Sequence, residues 1–174
     1  CAAVFVTCVT ATADFLYRID TPESVQGAIA MMPHNARYVR RLAELDAAQS
    51  QRLLEQARRL DPLDTRVMIE LALRAEQAQR PLEAEQLLLQ AAHADQTALP
   101  RWTLLNFYAR QDRPVEFWHW LPRTLRIMAG ESKAVFDLAR RLDPKLERTS
   151  AMLPPRAPVL RGFLDYAIDR NEYS

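Results

Sequence analysis

The stretch from Thr65 to Ala98, TRVMIELALRAEQAQRPLEAEQLLLQAAHADQTA, decides how the rest of the chain is read. Val67, Ile69, Leu71 and Ala75 recur at near-helical spacing, and Ala84, Leu87, Leu88 and Ala91 form a second apolar stripe. Between them lies a polar break, Glu76-Gln77-Ala78-Gln79-Arg80-Pro81, which predicts a tight turn. These 34 residues therefore read as one helix-turn-helix unit. Two short amphipathic helices cannot bury both their faces alone, so the unit needs stacked neighbours.

Those neighbours are marked by recurring helix ends. Ala28 to Pro33, Ala57 to Pro62, Ala91 to Gln96 and Ala139 to Pro144 each place a small residue five positions before a helix stop. A small residue lets neighbouring helices approach, and proline ends a helix because it lacks the donor and clashes with the preceding turn. The intervals between the alanines are 29, 34 and 48 residues, so the first repeat is short and the last holds an extra helix. Working outward, Thr21-Pro22-Glu23 starts a helix over 22–32, and Asn35 caps one over 36–46. A helix over 49–60 stops at Asp61-Pro62, and Asp64 caps the central unit. Leu99-Pro100-Arg101-Trp102 opens the next one, and Asp112-Arg113-Pro114 makes its turn. Its second helix puts bulky Trp118 at the small-residue position and meets Pro122, which predicts a kink with helix resuming over 123–129. Further helices are expected over 131–142 and 158–170, the latter after the proline-rich Leu153 to Pro158 linker. Asn171 to Ser174 reads as a turn towards a further helix.

This pattern resembles the tetratricopeptide repeat. Met68, Leu71, Ala72 and Ala75 match that family's opening helix, and Ala84, Leu88 and Ala91 match its closing helix, with Gln96 where its proline stands. The resemblance covers residues 22 to 174 and is strongest in the middle. It implies an all-α, right-handed superhelix, or solenoid, of helix-turn-helix repeats whose first helices line a concave groove. Mapped through the repeat, the groove residues are Arg66, Leu73, Glu76 and Gln77, then Thr103, Phe107, Arg110 and Gln111, then Arg161 and Asp165. Arg37 and Arg40 would extend the row. An arginine fork suits a peptide carboxylate or an acidic segment.

The amino end reads as a separate object. Residues 1–13 carry no charge and finish in Ala11-Thr12-Ala13 before Asp14. That is the pattern of the tail of a secretory signal, an apolar run before a small-x-small site. A truncated membrane anchor is the rival, and both readings place the body, 14–174, in the cell envelope or periplasm. Both cysteines, Cys1 and Cys8, lie in this segment, so the body can build no disulfide and no thiolate site. A cytosolic core helix and a lipidated Cys1 are further, weaker alternatives.

Chemistry is sparse elsewhere. Net charge is +1, which gives no bulk drive towards nucleic acid, and the three glycines lie too far apart for a phosphate-cradling loop. His34, His93 and His119 lack the spacing of metal ligands on helices, and no nucleophile motif is present. Neither a metal nor a cofactor is expected. The aromatic cluster Trp102, Phe107, Tyr108, Phe117, Trp118 and Trp120 is interleaved with arginines and could stack a sugar or pin a peptide. Core packing is the stronger reading, because Trp118 and Trp120, two apart on a helix, point in different directions. The sequence therefore predicts a non-catalytic scaffold that binds a peptide or protein segment in its groove. The second reading is an envelope glycan-binding or glycan-assembly accessory using Trp102, Trp118 and Trp120.

Overall fold

The computed structural model describes residues 2–128, 130 and 132–169, which form eleven helices and no strand. They are α1 (Ala2–Ile19), α2 (Pro22–Met31), α3 (Ala36–Leu45), α4 (Ser50–Leu60), α5 (Thr65–Gln77), α6 (Pro81–Ala94), α7 (Ala98–Arg110), α8 (Pro114–Leu125), α9 (Ser132–Leu142), α10 (Glu147–Ala151) and α11 (Ala157–Asp169). Two compact units divide the chain, residues 1–87 and 88–174. In the first unit α1 packs on α2, α2 on α3, α3 on α4 and α4 on α5; in the second α7 packs on α8, and α9 on α7, α8, α10 and α11.

Two kinds of turn recur along the chain. The first kind places a non-glycine residue in the left-handed region, then a capping position, then proline as the first helical residue. It occurs at Asp20, Gln79 and Asp112, with φ of 63°, 59° and 51°. After the latter two, the amide of the following arginine closes the helix end, Arg80 N–H to Ala75 O at 2.8 Å and Arg113 N–H to Tyr108 O at 3.0 Å. Each arginine then pairs with the acid three residues on, Glu83 and Glu116. At the α1–α2 turn the cap is Thr21, which exchanges hydrogen bonds with Ser24 as a capping box. The second kind follows the buried alanines. Asn35 and Asp64 accept the Arg37 and Arg66 amides at 3.1 and 3.0 Å, after Pro33 and Pro62 have ended the preceding helices.

Fully or almost fully buried alanines mark the helix crossings: Ala13, Ala28, Ala43, Ala57, Ala72, Ala75, Ala84, Ala91, Ala139 and Ala167. The α7–α8 hairpin differs, its interior being filled by Phe107, Tyr108, Phe117, Trp118 and Leu121. Large rings demand wider helix separation than alanine does, so this pair departs from the rest of the repeat where the sequence placed Trp118.

Helix α1 runs unbroken through the 13/14 boundary, and Ala13 sits in a small core with Ala28 and Tyr38, against which Leu16, Tyr17, Ile29 and Met32 pack. Two expectations are altered, at Pro122 and at the proline-rich linker. Pro122 does not interrupt α8, which ends at Leu125 instead of resuming to 129. Pro122 removes one backbone donor near the helix end, and side chains serve neighbouring carbonyls: Arg123 donates to His119 O at 2.6 Å and Thr124 to Trp120 O at 3.0 Å. The Leu153 to Pro158 linker is irregular only as far as Arg156, and it is preceded by the unexpected α10. The turn read at Asn171 to Ser174, Cys1, and the first residue of the helix expected from 131 lie outside the described residues.

Replacing Ala57 by Leu should destabilise the chain by about 1–3 kcal/mol in urea unfolding, because the crossing has no room for the added atoms. Gln79→Gly should instead stabilise it by about 0.5–1 kcal/mol, relieving a left-handed side chain, while Gln79→Val should do the reverse.

Candidate functional site

Within the first unit, like helices of successive pairs leave clefts between them. The largest, about 730 Å³, lies between α1 and α3. Val6, Val9 and Thr10 of α1 form one wall, the turn from Met31 to Asn35 with Arg37 forms another, and Leu60 and Asp61 close the far side. Its shape follows from capping: α2 stops before Pro33, Met32 N–H returns to Ala28 O, and Asn35 turns the chain into α3. A second cleft, about 290 Å³, lies between α3 and α5 and is lined by Ala43, Glu44, Ala47, Ser50, Leu54, Glu70 and Arg74. Here Arg74 donates to Ser50 Oγ at 2.7 Å, and Ser50 donates to Ala43 O at 2.5 Å. The Arg74 Nε is buried with no hydrogen-bond partner. The even-numbered helices leave matching clefts, about 260 Å³ between α2 and α4 and about 440 Å³ between α4 and α6.

A chain of ion pairs runs along the odd-numbered helices. Arg41 pairs with Asp20 at 2.5 Å and with Glu44 at 2.5 Å; Arg40 pairs with Glu44 at 2.7 Å and stands 3.2 Å from the Asp64 carboxylate. The end of α1, the middle of α3 and the cap of α5 are thereby joined. The hydrogen bond from Arg41 holds the Asp20 carboxyl below the ordinary range, and the Asp20 and Glu44 partners raise the Arg41 guanidinium in turn. Beside this chain, Tyr38 donates to Asp14 Oδ1 at 2.6 Å and stacks on Tyr17 with ring centroids 5.0 Å apart. Burial, then the Asp14 bond, push the Tyr38 hydroxyl up to about 12. Arg37 lies over the Tyr17 ring at 4.5 Å.

The residues mapped by the repeat pattern are dispersed. Arg66 and Gln77 are exposed, Leu73 and Glu76 half-buried, and none of the four lines the clefts just described. Arg37 lines the largest cleft, whereas Arg40 is engaged in the ion-pair chain. In the second unit Thr103 is half-buried and donates to Leu99 O, Arg110 is exposed, and Gln111 is half-buried. Phe107 was mapped outward but is fully buried, in edge contact with Tyr108. Arg161 and Asp165 are exposed on α11. Of the aromatic trio, Trp118 and Trp120 are buried and Trp102 half-buried. Arg148 covers Trp118 at 4.8 Å, and Arg123 covers Trp120 at 5.7 Å. No group of three His, Cys, Asp or Glu among the described residues is placed to hold a metal ion.

Sequence reading missed Ser50, Glu70 and Arg74. A local signal existed only for the ion pairs, in the spacing of Arg40 and Arg41 to Glu44. Compared with models of protein families and with curated proteins, the chain matches none.

Tyr38→Phe should cost about 1 kcal/mol at neutral pH through loss of the Asp14 hydrogen bond. The folded hydroxyl has a raised pKa, so its contribution is complete below the unfolded value near 10 and is lost as pH climbs to about 12. Denaturation followed against pH should therefore show a steeper alkaline decline in the wild type than in Tyr38→Phe.

Proposed function

We propose that this chain is a non-catalytic interaction scaffold built as a right-handed superhelix of degenerate tetratricopeptide-like repeats, and that it holds a peptide or protein segment. The observation that carries the reading is the row of clefts that like helices leave between them in the first unit, α1–α3, α3–α5, α2–α4 and α4–α6. A surface made of equivalent clefts suits an extended chain, which can place side chains into one after another.

The α3–α5 cleft provides the most specific chemistry. Arg74 offers a donor with no partner, Glu70 stands exposed on the same helix one turn away, and Ala43, Ala47 and Leu54 supply an apolar floor. That combination suits peptide backbone and a short apolar side chain. The charge-free amino stretch supports an envelope location, exported or membrane-attached. The aromatic glycan shelf has less support, since two of its three rings are inside the second unit.

Selection of peptides from a displayed library on the full chain, followed by titration against Ala47→Arg and Glu70→Lys, tests the reading. Both positions are exposed, so thermal melting should be unchanged while affinity falls by about tenfold or more. Peptides that bind wild type and both variants alike would remove the cleft from the mechanism.

A further inference from the structure

Helix α11 turns one face to the core of its unit and leaves a second, ordered face outward. Val159, Phe163, Tyr166 and Ala167 are buried, with the Phe163 and Tyr166 rings 5.3 and 5.5 Å from that of Phe136 on α9. Outward stand Leu160, Leu164 and Ile168, which are 42%, 51% and 61% exposed. At about 100° per residue these three form a stripe roughly 80° wide. Arg161, Asp165 and Asp169, all exposed, each follow one residue later and so lie along a single edge of that stripe.

The sign order along this edge is plus, minus, minus. Among the described residues no ion pair within the chain takes up these three charges, although Lys133 and Asp137, spaced like Arg161 and Asp165, are paired at 3.0 Å. In an antiparallel pair of identical helices related by a two-fold axis, the same edge of each helix lies beside the other. With the axis at Leu164, that residue meets its own counterpart and Leu160 meets Ile168 of the second copy. Arg161 is then level with residue 167 of the second copy, about 3 Å along the axis from both Asp165 and Asp169 there. Each copy therefore sets its one cation between the two acids of the other. A parallel pair would put Arg161 beside Arg161 and each acid beside its counterpart, which like-charge repulsion opposes.

We propose that the outer face of α11 is a self-association surface, on which a second copy of the chain packs its own α11 antiparallel about a two-fold axis at Leu164. Aliphatic contact supplies the attraction, and the charged edge sets direction and register. Three aliphatic side chains from each copy make a small interface, so half-association falls at roughly 10–100 µM. The inference rests on neither the clefts of the first unit nor the envelope location.

Sedimentation equilibrium of the full chain between about 1 µM and 1 mM tests it, the wild-type mass rising from one chain to two. Leu164→Glu should weaken association about tenfold or more, since it sets two carboxylates against each other on the axis. Arg161→Asp and the double variant Asp165→Arg/Asp169→Arg should each weaken it, whereas an equimolar mixture of the two should associate more tightly than either alone. Direction is read by cross-linking in a Cys1→Ser/Cys8→Ser background. Leu160→Cys and Ile168→Cys chains should form an interchain disulfide when mixed and not separately. All these α11 positions are exposed, so thermal melting in dilute solution should be unchanged. Wild type that stays monomeric to about 1 mM overturns the proposal. So does Leu164→Glu associating like wild type, Leu160→Cys linking to itself, or a dimer that Val6→Asp dissolves, which would move the contact to α1.

Discussion

Close approach of helices at buried alanines is the constraint on which the fold depends. Ala28 in α2, Ala57 in α4, Ala91 in α6 and Ala139 in α9 all have no exposed surface. At such a position the neighbouring backbone comes near enough for short helices of ten to fourteen residues to share one layer of core. The hairpins need each other for the same reason, since a helix of ten residues has little stability apart from its packed face. Where the alanine is replaced by Trp118, the pairing of α7 and α8 survives by a different means. Buried rings of both helices, Phe107 and Tyr108 of α7 with Phe117 and Trp118 of α8, give the hairpin an aromatic interior.

Turn chemistry is why so much of this was legible. Proline, asparagine and aspartate act through local sterics and local hydrogen bonds, so Pro22, Asn35, Asp64, Pro81 and Pro114 fix helix starts without knowledge of the rest of the chain. What escaped reading was decided by partners distant in sequence. Phe107 occupies a helix face that the repeat pattern turns outward, yet burial depends on which neighbours arrive, and unit two supplies a bulky set. Ala13 of α1 packs on Ala28 and Tyr38, which lie fifteen or more residues away. Pro122 lies near a helix end, where it removes a single bond, and Arg123 and Thr124 attend to the carbonyls around it.

Ion pairing engages Arg40 of the row mapped through the repeat, whereas Arg66, Arg110 and Arg161 stay exposed. Arg40 and Arg41 share Glu44 and reach to Asp64 and Asp20, so both guanidinium groups serve the joining of α1, α3 and α5. A pair spacing of three or four residues on a helix was visible in the sequence, but the long-range acids were not. Outside that network Arg74 keeps a buried Nε without a hydrogen-bond partner, near exposed Glu70. Neither residue had a motif to announce it.

Exposed apolar faces occur on both α1 and α11, and their edges differ. On α11, Leu160, Leu164 and Ile168 form a stripe at four-residue spacing, flanked by Arg161, Asp165 and Asp169, all exposed. Charged edges of both signs would have to be stripped of water to enter hydrocarbon, a cost of several kcal/mol for each ion. That rim is compatible with a protein surface, where water and opposite charges remain at the border of the contact. The amino half of α1 carries no charge of its own, but His34, Arg37 and Asp61 line the cleft that its Val6, Val9 and Thr10 face. Both faces thus border groups that keep their water, and the solvation of those neighbours, not apolar area alone, sets what each face can meet.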